Sequence, residues 1–137
     1  MAQRIIAIVL AIPFAATALV MLFAPRAWYD AFPGVVETGP FNPHFVRDIG
    51  CAFLVVSAVL VAFVVAKRPP VSALVAGAAF VTLHALIHIS DFLDMPEGAG
   101  RVLLRDLPGV YLPALLTIWI AASAAARSRA LDRTKAE

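Results

Sequence analysis

Three ionisable residues near the middle of the chain share one face of a predicted helix. His84, His88 and Asp91 follow one another at intervals of four and three residues in the stretch HALIHISD. This spacing stacks side chains on one side of an α-helix. Imidazole and carboxylate groups ligate transition metals, and in apolar surroundings they also bind ligands or relay protons. The spacing therefore indicates a site for a metal ion or for a small polar ligand.

A second polar stripe with the same geometry begins at residue 44. The stretch HFVRDIGC places His44, Asp48 and Cys51 at positions i, i+4 and i+7, with Arg47 beside them. Because ionisable side chains are strongly disfavoured towards lipid, we expect the two stripes to face each other inside a helix bundle. Cys51 is then a buried, inert thiol. The residues predicted to bind a cofactor are His44, Arg47, Asp48, His84, His88 and Asp91. The predicted metal ligands are His84, His88, Asp91, His44 and Asp48.

These residue types leave several ligands open. A transition metal suits the mixture of imidazole and carboxylate. Haem is disfavoured, because His84 and His88 share one helix and cannot bind opposite faces of one haem, so that His44 would have to supply the second ligand. The head of a quinone or of another lipid-soluble molecule suits the same groups. A purely structural role, in which the polar side chains only join helices, is the alternative.

Four uncharged apolar runs supply the elements that would position these residues. Apolar residues make up 62% of the 137-residue sequence, far above the share in soluble domains. A bilayer core about 30 Å thick is crossed by roughly 20 helical residues, and each run has 18 to 20. The sequence predicts an all-α, four-helix transmembrane bundle in residues 1–126, followed by a polar tail at 127–137. The helices are expected at about 5–24, 43–66, 70–92 and 107–126.

Local signals mark the helix boundaries and the loops between them. Asn42 and Pro43 have the residue types of an N-cap and a first helical position, and Pro108 can open the last helix. The first long loop, at residues 25–43, is rich in aromatic residues and is expected to lie at the membrane surface. Arg105 and Asp106 are expected to belong to a solvated rim before the last helix.

Basic residues predict the orientation of the bundle. They are concentrated before the first helix, in one turn and in the tail, at Arg4, Lys67, Arg68, Arg127, Arg129, Arg133 and Lys135. The positive-inside rule then places both termini in the cytoplasm, with the loops at 25–43 and 91–106 outside. The formal net charge of +2 does not indicate a nucleic-acid partner. The expected partners are the lipid bilayer and either a second copy of the chain or a larger membrane complex.

The stretch NPHFVRDIGCAFL, residues 42–54, and the four-span layout with a long aromatic first loop resemble the DoxX-like group of small bacterial membrane proteins. The resemblance covers residues 5–126 in organisation, and RDIG is its most specific part. Some members of that group are associated with quinone-linked thiosulfate oxidation. The histidine stripe at 84–91 does not map onto a motif of the group.

Together, the residues and the resemblance predict a small multi-pass protein of a bacterial inner membrane that binds a metal ion or a quinone-like redox ligand as an accessory to a membrane redox system. The alternative is a non-catalytic assembly subunit whose polar cluster only holds the bundle together. No motif in the chain specifies an enzymatic reaction.

Overall fold

The computed structural model describes residues 1–67, 69–93 and 99–136, which are helical almost throughout and contain no strand. A 3-10 turn at Val35–Thr38 lies between the second and third helices, and a π-helical turn at Leu107–Tyr111 joins the last two. The helices are α1 (Ala2–Phe23), α2 (Pro25–Ala31), α3 (Pro43–Val65), α4 (Val71–Leu93), α5 (Ala99–Asp106) and α6 (Leu112–Ala136).

Four helical segments are long and apolar enough to cross a membrane: α1, α3, α4 and the continuous path from α5 through α6. Their outward sides are apolar as well, since side chains on each of them are more than half exposed. Examples are Ile12, Val55, Leu83 and Leu115. Apolar residues on both the packed and the outward side of a helix are typical of a bilayer environment. The predicted all-α bundle with four membrane-length helices is confirmed.

The last helix is longer than the sequence predicts. Its helical path begins at Ala99, passes through the π-helical turn and continues to Ala136, instead of covering only 107–126. Pro108 lies in the π-helical turn; proline has no amide hydrogen and its ring clashes with the preceding α-helical turn, so the wider turn accommodates it. Residues 99–106 are therefore helical rather than part of a loop. Residues 94–98 of the predicted loop, and Arg68, lie outside the described residues.

Helices α1 and α3 approach each other closely at Gly50, the glycine of the RDIG stretch. A Cβ atom at Gly50 would lie 2.9 Å from the Cβ of Met21 on α1, closer than such atoms are found. About two helical turns further along α3, the buried hydroxyl of Ser57 donates to the carbonyl of Ala11 over 2.8 Å. These contacts fix which side of α3 faces α1.

The other helices complete the core and set the start of α3. Helix α4 packs mainly on α6, and Leu60, Leu74 and Ile120 are fully buried. At the start of α3, the side chain of Asn42 accepts hydrogen bonds from two backbone amides, and Pro43 occupies the first helical position. The predicted N-cap is confirmed.

Candidate functional site

A cavity of about 410 Å³ lies at the end of the bundle where α1 ends and α3 begins. Its volume falls within the range of about 300–1,000 Å³ that is usual for small-molecule sites. Every long helix contributes to its lining, which is mainly apolar. The lining residues are Leu10, Pro13, Phe14, Thr17, Trp28, Phe32, Pro33, Val35, Ile49, Phe53, His84, His88, Arg105, Asp106, Pro108, Gly109, Val110 and Pro113.

One side of this cavity carries a connected set of polar groups, which we call the polar wall: His84, His88, Arg105 and Asp106. The Nδ1 atom of His88 lies 2.8 Å from Oδ2 of Asp106. Arg105 donates to the same carboxylate from two nitrogens, over 2.6 Å to Oδ1 and 3.1 Å to Oδ2. The Asp106 side chain is only 7% exposed. A buried carboxylate needs such partners, because an unpaired charge there is strongly destabilising.

The contact with Asp106 fixes the hydrogen-bonding state of His88. An ionised carboxylate only accepts hydrogen bonds, so Nδ1 of His88 must carry the hydrogen. In a neutral ring the second nitrogen, Nε2, is then an acceptor, and in a protonated ring it is a second donor. Within the described part of the chain, Nε2 has no hydrogen-bond partner. His88 is thus oriented by the protein at one nitrogen and available to a ligand at the other.

His84 lies among aromatic rings. Its ring stacks near Phe80, with centroids 6.2 Å apart, and meets the edge of Phe53 at 5.5 Å. The ring of His88 is 4.8 Å away in an edge-to-face arrangement, and Phe14 stacks on the far side of Phe53 at 5.5 Å. Edge-to-face and offset arrangements are the favourable geometries for such rings. The result is a row of flat surfaces beside the polar wall, suited to a planar ligand.

Trp28 lines the same cavity and carries an unsatisfied donor. Its Nε1 atom is buried and has no hydrogen-bond partner among the described residues, and its ring stacks on Phe32 with centroids 5.2 Å apart. Buried polar groups nearly always have a partner, because leaving a donor unpaired costs about 1–3 kcal/mol. Because Nε1 has almost no accessible surface, Trp28 contributes an aromatic surface rather than a donor to the cavity lining.

The structure separates the two predicted polar stripes. His84 and His88 line the cavity, whereas the side chains of His44 and Asp48 are 84% and 59% exposed and lie 3.4 Å from each other. Cys51 is also exposed, so the expectation of a buried thiol is wrong. The expectation that both stripes face inwards is wrong for the stripe on α3.

The geometry of α3 explains this difference. Gly50 and Ser57 face α1, and the residues of the His44 stripe lie roughly 100–180° around the helix axis from that packed face, at about 100° per residue. Only one of these faces can contact α1, and the close approach at Gly50 shows that it is the face with Gly50 and Ser57. His44 and Asp48 consequently point away from the bundle.

Arg47 and Asp91 have other surroundings than expected. Arg47 donates from Nε to the backbone carbonyl of Leu22 over 3.1 Å, in the last turn of α1, where carbonyls lack helical partners. It therefore ties the start of α3 to the end of α1. Asp91 is exposed and borders a second, open groove next to the cavity.

The predicted metal site is not assembled. Within residues 1–67, 69–93 and 99–136, no three His, Cys, Asp or Glu side chains are grouped so that they could hold a metal ion. His44 and Asp48 lie on another face of the bundle, and the carboxylate nearest to His88 is engaged by Arg105. The structure gives the proposed metal ligands no common centre.

Three residues of the site were not predicted from the sequence: Trp28, Arg105 and Asp106. Arg105 and Asp106 are expected in a solvated rim, but Asp106 is buried and both line the cavity. Their position directly before an apolar run is a signal that an acid at membrane depth needs a partner. Trp28 is expected at the membrane surface, and no local pattern indicates its role.

Comparison of the chain with protein-family models, with curated proteins and with solved structures finds no match in any of the three.

Proposed function

We propose that this protein binds a small, lipid-soluble molecule with a planar polar head, such as a quinone, in the cavity beside the polar wall. The observation that carries the proposal is the convergence of an oriented histidine and several aromatic rings, that of Trp28 among them, on one mainly apolar cavity. Apolar cavities with a few convergent polar groups are the usual form of small-molecule sites. The DoxX-like resemblance adds a context, an accessory role in a membrane redox system, to the same proposal.

Each group has a distinct part in this binding. Quinone carbonyl oxygens only accept hydrogen bonds, so Nε2 of His88 donates to the oxidised head when its ring is protonated, and in the neutral ring it accepts from a hydroxyl of the reduced head. Asp106 holds the tautomer and orientation of His88, and Arg105 keeps Asp106 ionised in its buried position. His84 and Phe53 provide ring surfaces against which a planar head stacks. The apolar remainder of the lining excludes water, which strengthens these hydrogen bonds.

Trp28 itself provides the assay. The chain has two tryptophans, so Trp119→Phe leaves Trp28 as the single fluorophore. We expect saturable quenching of Trp28 when 2,3-dimethoxy-5-methyl-1,4-benzoquinone is added to the protein in nanodiscs. His88→Ala should weaken binding about 5- to 150-fold, as expected for loss of a buried hydrogen bond of about 1–3 kcal/mol.

His44→Ala is the matched control, because His44 is a histidine of the same bundle end with an exposed side chain. The His44→Ala variant should bind the quinone with the same affinity as the parent protein. Quenching that never saturates, or an equal affinity in the His88→Ala and His44→Ala variants, would contradict the proposed site.

A second candidate function is assembly, and the exposed stripe on α3 favours it. His44 and Asp48 carry opposite charge when His44 is protonated, and they are exposed together with Cys51. Two copies inserted in the same direction bring their α3 helices together at equal depth, so that His44 of one copy reaches Asp48 of the other. We propose a second copy of the chain as the occupant of this face, since charged groups are disfavoured towards lipid.

Cys51 is the only cysteine, so oxidative cross-linking in membranes tests this interface directly. A disulfide-linked dimer is expected, and Asp48→Ala should reduce its yield. As a control, Cys51→Ser/Val20→Cys moves the thiol to the exposed side of α1 and should cross-link poorly. Equal yields from both thiol positions would indicate random collision instead.

We further propose a bacterial inner membrane as the location, with both termini in the cytoplasm. The basic residues at Arg4, at Lys67 and in the tail support this orientation. Reporter fusions after Ala126 and within residues 30–40 test it, and a C-terminal reporter active outside the cytoplasm would overturn it.

A further inference from the structure

The open groove next to the cavity has a volume of about 880 Å³ and shares part of its lining with the cavity. The shared residues include both histidines of the polar wall, Arg105, Trp28 and Ile49. The two spaces are therefore separated only by side chains of the candidate site. A molecule whose head lies against His84 and His88 would have the groove as its neighbouring free volume.

The helical side of this groove carries apolar side chains besides the two histidines, Arg105 and Asp91. Phe45 and Ile49 of α3 and Ile87 of α4 line it, and Phe45 and Ile87 are 68% and 59% exposed. Both side chains belong to helices of membrane length, so their exposed surfaces adjoin lipid. On its other side the groove is bordered by the segment that carries Glu37 and Thr38. The groove thus joins the cavity to the hydrocarbon region between α3 and α4.

We infer that the ligand is an amphiphile, with its polar head at His84 and His88 and an alkyl or isoprenoid chain that leaves through the groove past Phe45 and Ile87. This inference rests on the proposed binding function and names the class of ligand. A headgroup alone would leave the apolar groove unfilled, whereas a chain packs against the apolar side chains there and gains dispersion contacts. The same opening lets the ligand reach the cavity from the bilayer.

The test compares one headgroup with and without a chain. The probes are 2,3-dimethoxy-5-methyl-1,4-benzoquinone and its 6-decyl derivative, and their binding to the protein in nanodiscs is measured by isothermal titration calorimetry, because the variants below each add a tryptophan. The decyl compound should bind more tightly than the short compound to the parent protein, because its chain packs in the groove and because it partitions into the lipid. Ile87→Trp fills the groove and should lower the ratio of decyl affinity to short-compound affinity by at least about fivefold relative to the parent protein, while the affinity of the short compound stays unchanged.

Leu86→Trp is the matched control. Leu86 is the preceding residue on α4 and is 52% exposed, but it does not line the groove. Because both variants are compared in the same nanodiscs, partition of the decyl compound into lipid cancels in the ratio of affinities. Thermal unfolding of both variants checks that each folds.

The outcomes separate the two proposals. If the short quinone binds in a His88-dependent way but the decyl advantage survives Ile87→Trp, the chain path is wrong and the binding site stands. If neither quinone binds with saturation, both proposals fail. Loss of the decyl advantage in Ile87→Trp but not in Leu86→Trp supports the path through the groove.

Discussion

Two ion pairs in this chain have nearly the same geometry but different burial. Nε of Arg105 lies 2.6 Å from Asp106, and Nε of Arg26 lies 2.7 Å from Asp30. The Asp106 side chain is 7% exposed, whereas that of Asp30 is 49% exposed. Asp106 also accepts a hydrogen bond from His88. The substitutions Asp106→Ala and Asp30→Ala therefore compare the effect of burial at a fixed contact distance.

The expected destabilisation follows from what remains after each substitution. Removing one partner of a fully buried pair costs about 3–5 kcal/mol, because the other charge stays buried and unpaired. The Arg105 side chain is 29% exposed, so water recovers part of this loss. We expect Asp106→Ala to lower the free energy of unfolding by about 2–3 kcal/mol. Asp30→Ala should leave it unchanged within error, since water replaces the lost partner of an exposed pair.

Unfolding in mixed micelles, with helicity followed by circular dichroism as the fraction of dodecyl sulfate rises, measures both changes. A double-mutant cycle with His88→Ala isolates the contact between His88 and Asp106. We expect the effects of Asp106→Ala and His88→Ala to be non-additive, because both substitutions remove the same hydrogen bond. Equal stabilities of Asp106→Ala and Asp30→Ala would refute the conclusion that Asp106 belongs to a buried network.

Two pairs of glycines provide further predictions. Gly50→Ala should lower the free energy of unfolding by about 1–2 kcal/mol, because overpacking costs about 1–3 kcal/mol and the gain in helix propensity offsets up to about 1 kcal/mol of that cost. The control is Gly77→Ala, whose new Cβ would lie 3.9 Å from its nearest neighbour. This variant should be as stable as the parent protein or more stable in the same unfolding assay. Gly34 and Gly39 have φ values of +85° and +140°, so alanine strains the backbone at both, but only at Gly34 does the new Cβ collide with the guanidinium of Arg105. Gly34→Ala should therefore weaken quinone quenching of tryptophan fluorescence more than Gly39→Ala does, and equal losses would assign the effect to backbone strain alone.

The spans were predictable because length and apolarity determine them directly. Each uncharged run is long enough to cross a bilayer, and Asn42 with Pro43 marks a helix start by residue type alone. The orientation of α3 about its axis was not predictable in this way. A helix that is apolar on all sides gives no amphipathic signal, so the face that packs is chosen by one close contact, that of Gly50 with Met21. Helical spacing placed His44 and Asp48 on a common face but could not show that this face is the outer one.

The partner of His88 could not be found from helical spacing either. Spacing identifies neighbours three and four residues away, and it selected Asp91, which is exposed. The carboxylate that binds His88 is Asp106, 18 residues further along the chain, and the chain between them includes the end of α4 and the whole of α5. Tertiary packing, rather than local periodicity, creates the polar wall.

The π-helical turn accounts for the inward direction of Asp106. Ala114 lies on the buried stripe of α6 with Thr117 and Ile120. In a regular α-helix, the eight residues from Asp106 to Ala114 would advance about 80° beyond two full turns, at about 100° per residue. Each of the five residues of the π-helical turn rotates less, roughly 80°, because its hydrogen bonds span five residues rather than four. The turn thus removes roughly 100° and returns Asp106 to within roughly 20° of the buried stripe. The irregular turn at Pro108, which the sequence suggests only as a helix start, is therefore the feature that aims the carboxylate of Asp106 at His88.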